Sequence, residues 1–128
     1  MTRSLLLLII LLPGFSVLTF GQLKKTYLGK YEGTIPAYEI NTGSERIEVE
    51  AAAIEIRLEA AKIAMHIGDG RATGTYTVLF DTRAYFVLEA KMDGHPAPER
   101  IIVYRKGKKI SREGIRPQPD ALLEKQKK

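Results

Sequence analysis

The chain has no cysteine at any of its 128 positions. That excludes a disulfide framework, thiol chemistry and thiolate metal sites. It also excludes the Cys that a lipid-anchored bacterial envelope protein carries at its signal-peptide junction. Histidine is scarce. His66 and His95 are the only two, one within an alternating stretch and one in a turn. Neither has a second His nearby, so no metal-ligand spacing can be drawn, and each reads as a surface residue. There is no Ser-His-Asp set, no phosphate-cradling glycine loop and no His-Glu motif. The acids Glu48, Glu50, Glu55 and Glu59 fall mostly at alternating positions rather than as a pair. The expectation is a non-enzyme with no catalytic residues, no metal and no cofactor.

Long apolar runs are also missing. Leu5 to Phe20 is the longest apolar stretch, and Pro13-Gly14 interrupts it. It is shorter than the ~20 apolar residues of a spanning helix. With Arg3 ahead of it and Gly21 at its exit, it has the parts of a secretory signal peptide. A membrane anchor is the competing reading. Cleavage after Gly21 is favoured, which makes residues 1–21 a leader and the product periplasmic or secreted, with Gln22 first and no transmembrane span left. Arg3 is the only charge removed, so the net charge falls from +5 to about +4. The sharpest basic run is Arg105-Lys106-Gly107-Lys108-Lys109, followed by Arg112 and Arg116. Its Lys-Gly-Lys core reads as a solvated hairpin tip. A nucleic-acid partner is not expected; an anionic surface is the minor reading.

What remains is one domain rich in alternation. Lys62–Ile67, Ala72–Phe80, Arg83–Met92 and Arg100–Tyr104 read as antiparallel strands separated by turn residues. Asp93-Gly94 is a hairpin signal, prolonged by His95-Pro96-Ala97-Pro98. Lys109 to Arg112 is a short further strand. Upstream, Gly29 to Pro36 alternates, with Tyr31 and Ile35 sharing a side, and Pro36 ends it. Ala37 to Arg46 reads as a loop or lid with turn chemistry at Asn41-Thr42-Gly43-Ser44. Arg46–Leu58 carries two patterns. At period two, Ile47 and Val49 oppose the parity of Ile54, Ile56 and Leu58, which a bulge at Ala51–Ala53 reconciles. At helical spacing, Ile47, Ala51, Ile54, Leu58, Ala61 and Met65 form a stripe. The β-branched residues favour strand; a helix over 46–66 would make the fold α+β. After Pro117-Gln118-Pro119, Asp120 stands as an N-cap before Ala121-Leu122-Leu123-Glu124, predicting a short C-terminal helix.

The fold class is therefore all-β: an antiparallel meander over 22–116 closing into a small barrel, followed by a short helix and charged tail over 117–128. Such a barrel holds either packed side chains or one small ligand. The inward residues that would line an apolar pocket are Tyr31, Met65, Tyr76, Phe80, Phe86, Leu88 and Met92. The expected partners are a small apolar ligand inside the barrel or an envelope protein outside it.

Gly29-Lys30-Tyr31-Glu32-Gly33-Thr34-Ile35-Pro36-Ala37, with Gly74-Thr75-Tyr76, resembles the opening of lipocalin-like barrels. It looks most like the N-terminal domain of the NlpE copper-resistance envelope lipoproteins, whose first strand reads Gly-x-Tyr/Trp-x-Gly-x-Leu/Ile-Pro. The resemblance implies a small antiparallel barrel and an envelope location. It does not extend to that family's metal and redox associations. The Cys-x-x-Cys after the proline is replaced here by Ala37-Tyr38-Glu39-Ile40, and the anchor Cys is absent.

Overall fold

The computed structural model describes residues 23–127. The expected leader over 1–21 lies outside them. A single 3-10 turn, Lys25–Tyr27, leads into ten strands. These are β1 (Gly29–Ile35), β2 (Tyr38–Asn41), β3 (Arg46–Val49), β4 (Ala52–Glu59) and β5 (Lys62–Ile67), then β6 (Gly70–Asp81), β7 (Tyr85–Met92), β8 (Glu99–Tyr104), β9 (Lys109–Arg112) and β10 (Ala121–Lys125). Eight of them close a barrel in the order β1-β10-β9-β8-β7-β6-β5-β4, every pairing antiparallel. This is a closed up-and-down barrel, with no open edge in the ring.

Alternation generates the core. Tyr31, Ile35, Ile54, Ile56, Leu58, Ile63, Leu88, Ile101, Val103, Ile110 and Leu123 are all almost fully buried. Each lies at an every-second position of its strand, so one face points inward. Arg46–Leu58 resolves as two strands rather than one helix. The parity change falls at Glu50-Ala51, where β3 ends and β4 begins. β3 does not join the barrel. It pairs with β2, Tyr38 opposite Val49 and Asn41 opposite Arg46, as a separate hairpin. The expected loop at Ala37–Arg46 is thus half of that hairpin. Its tip is held by Gly43 N–H donating to Asn41 Oδ1 (2.9 Å), an Asx turn.

The expected C-terminal helix over 117–128 is a strand. Asp120 does cap a backbone amide, but that of Gly114 (2.9 Å) rather than one in a following helix. Ala121 and Leu123 are buried while Leu122 is 53% exposed, the period of a strand. β10 pairs with β9 through Ala121–Glu124 and with β1 through Leu123–Lys125. Without it both neighbours would present unpaired backbone groups, and satisfying those outweighs a weak local helix preference. The barrel therefore runs to Lys125, past the expected boundary at 116. Gly33 makes this seam: a Cβ there would overlap the Leu122 carbonyl and lie 3.0 Å from Leu123 Cα.

Candidate functional site

Six of the seven pocket candidates are buried: Tyr31, Met65, Tyr76, Phe86, Leu88 and Met92. They belong to one contiguous cluster with the aliphatic residues of β1, β4, β5, β8, β9 and β10. The two tyrosines use their polar ends on the backbone. Tyr31 Oη donates to Tyr27 O (2.7 Å) and Tyr76 Oη to Glu59 O (2.8 Å). Burial pushes the Tyr31 hydroxyl up to about 12, with the Tyr27 phenol adding to it. Burial also raises Tyr76, opposed in part by backbone hydrogen bonds from Ala61 and Leu23. Phe86 packs edge-on to Tyr27 with ring centroids 5.1 Å apart. Its face carries the Arg105 guanidinium, 4.2 Å from the ring centre.

Phe80 is the correction. It is 61% exposed, on the outer wall. The register of β6 against β7 shifts between Val78 and Phe80: Val78 faces Leu88, but Phe80 faces Val87. Leu79 is the extra residue of a bulge, and one extra residue reverses the parity beyond it. The strict alternation Tyr76, Val78, Phe80 is therefore broken by a feature with no local sequence mark.

Met65 and Met92 line one recess, at the end of the barrel formed by the β5–β6, β7–β8 and β9–β10 connections. With Ile67 and Ala72 they wall a recess of about 320 Å³, rimmed by exposed Arg71 and His95. Its floor is ionic. Arg112 and Glu99 are 4% and 8% exposed. Arg112 Nε and Nη2 donate to the two Glu99 carboxylate oxygens at 3.0 and 3.2 Å, and Nη1 donates to Gln118 Oε1 at 2.7 Å. The pair terminates the apolar column and ties the Glu113–Asp120 loop to it. Neither residue stands out among the sequence candidates, yet parity marks both. Ile101 and Val103 inward put Glu99 inward, and Ile110 inward does the same for Arg112.

The opposite end gathers the chain entry, the β4–β5, β6–β7 and β8–β9 turns and the C-terminal residues. It is basic. A groove of about 940 Å³ is lined by Lys25, Lys30, Arg57, Lys108, Lys125 and Lys127, with Glu59 the one acid. Lys30 and Arg57 have partners in Glu32 (3.4 Å) and Glu55 (3.7 Å). Lys125 Nζ donates to Thr26 O (3.0 Å), fastening the entry to β10. A second recess of about 390 Å³ across the β8–β9 turn holds Arg83, Arg105, Lys106 and Lys109.

Among the described residues no group of three or more His, Cys, Asp or Glu side chains is placed to hold a metal ion. No helix among them is long and apolar enough to cross a membrane. Compared with family models, curated proteins and solved structures, the chain matches none.

Proposed function

We propose that the chain is an exported, non-enzymatic β-barrel module that binds through its outer surface and keeps its interior filled. The observation that carries this is the continuity of the core. Tyr31, Tyr76, Phe86 and Leu88, the residues that would line an enclosed ligand site, pack against one another and their aliphatic neighbours instead. Apolar columns of this kind are ordinary core. The apolar leader at Leu5–Phe20 and the NlpE-like pattern at Gly29–Ala37 support an envelope or secreted setting. Titration of the purified barrel with a fluorescent fatty acid tests the reading. The expected result is no saturable signal at micromolar protein; a stoichiometric, displaceable complex would return the function to an enclosed ligand.

A second reading has its own observation. The recess of about 320 Å³ walled by Met65 and Met92 matches the lower end of small-ligand sites, and methionines adapt to varied shapes. Its occupant would be small, with an apolar body and a polar end meeting the Glu99–Arg112 floor. Filling the recess with Met92→Trp would abolish such binding while leaving the fold intact, whereas a retained affinity would rule this site out.

A further inference from the structure

We infer that the basic rim of the barrel docks on an anionic lipid bilayer, an inference that rests on the outer-surface reading above. Two independent features meet at this rim. The first is charge. The grooves on either side of the β8–β9 turn hold ten lysines and arginines between them against one acid, Glu59. Among the described residues, Lys25, Lys106, Lys108 and Lys127 make no salt bridge. Arg105 is committed elsewhere: its Nε donates to Thr82 O (2.8 Å), its Nη2 pairs with Asp81, and its face rests on Phe86. It braces the β6–β7 and β8–β9 turns side by side and so holds Arg83 and Lys106 at one level.

The second feature is apolar. The bulge in β6 turns Phe80 outward at 61% exposure, with Leu79 beside it at 40%. Both lie within a few residues of Arg83, at the basic end of β6. Tyr85 and Tyr104 pair across β7 and β8 on the same outer wall, next to the Val87–Ile102 pair. Aromatic rings beside lysine and arginine suit the boundary between lipid headgroups and acyl chains. Each cation near an anionic bilayer adds attraction that falls off over a Debye length, roughly 10 Å in 0.1 M salt.

Polarity fixes the orientation. The far end carries the β2–β3 hairpin with Glu39, Glu45, Glu48 and Glu50, together with Asp69, Asp93, Glu113 and Asp120; these outnumber the exposed cations Arg46, which pairs with Glu39, Arg71 and Arg116. An anionic surface repels that end and attracts the rim. The chain also enters at the rim, since Leu23 is buried beside the Lys25–Tyr27 turn.

The test uses the chain from Gln22 onward, which contains the whole closed barrel and its core. Sedimentation with phosphatidylcholine vesicles is compared with vesicles that also contain phosphatidylglycerol. Binding to the anionic vesicles alone is expected, weakening as salt rises. Replacing Lys25, Lys106 and Lys108 together by Gln should lower the partition coefficient by about 100-fold. Phe80→Ser should lower it by roughly tenfold. Both variants are exposed-site changes, and circular dichroism checks that they fold. Equal binding to neutral vesicles, undiminished binding by the triple variant, or binding to duplex DNA with none to vesicles overturns the proposal. A barrel that binds neither vesicles nor a fatty acid loses the lipid assignment and keeps the outer-surface reading. A stoichiometric internal fatty-acid complex removes the outer-surface reading itself.

Discussion

Inside the barrel the apolar column stops at Glu99 and Arg112, on adjacent strands and both nearly out of water. Removing one partner of such a pair leaves the other charged and unpaired, which costs more than the pair contributes. Glu99→Ala should therefore lower the unfolding free energy by about 3–5 kcal/mol. The double change Glu99→Leu with Arg112→Met should recover most of it. Urea denaturation of the singles and the double checks this; additive losses would mean that the two are not coupled. Tyr31 acts at the other end of the pH scale. The hydroxyl ionises near 10 when free and is held up to about 12 by burial, with Tyr27 second. Between those values the unfolded chain releases a proton that the fold retains. The stabilisation is thus complete below pH ~10 and is lost progressively as pH rises to ~12, by at most about 3 kcal/mol. Urea midpoints measured across that range should fall for the native chain and fall less for Tyr31→Phe; burial of Tyr76 acts in the same direction.

At the level of elements, β10 decides whether the barrel closes. Its central residues behave oppositely, with Leu123 fully buried and Leu122 53% exposed. Leu123→Ala should cost about 2–5 kcal/mol, whereas Leu122→Ala should change stability by no more than about 0.5 kcal/mol. Equal, small effects at both positions would contradict a strand that seals the seam. The residues Ala-Leu-Leu-Glu after Asp120 carry a helical signal, and nothing local contradicts it. The contradiction comes from β1 and β9, whose facing edges are separated in sequence by most of the chain. The same limit applies to β6. Its threonines Thr73, Thr75 and Thr77 read outward and are exposed, but the bulge after Val78 answers to β7, and it moves Phe80 from the expected pocket to the outer wall.

For the molecule as a whole, the ring of eight strands is complete without the β2–β3 hairpin. Ile35 and Ala52, on either side of it, are already paired across β1 and β4. Replacing residues 36–51 by Asn-Gly, which favours the tight turn needed there, should leave a folded barrel with a single cooperative unfolding transition. Loss of that transition would show that the hairpin supports the core. The barrel also has a charge direction, with lysine and arginine around the chain entry and the acids of the hairpin at the far end. No single stretch shows this. Lys25, Lys108 and Lys127 are far apart in the chain and come together because β1, β9 and β10 are neighbours.

Period-two alternation, with the β-branched residues of Arg46–Leu58, determined the all-β class, the strands β5, β7 and β9, and the inward side of β1, β4, β5, β7 and most of β6. It could do so because each inward residue is chosen against water one strand at a time. Only tertiary structure decided what depends on a distant neighbour. β10 is a strand because two edges need pairing, and Phe80 points outward because β6 must keep register with β7. Glu99 and Arg112 are tolerated inside because each finds the other. The basic rim is likewise a property of closure, which brings both ends of the described chain and the Arg105–Lys109 turn to one end of the barrel.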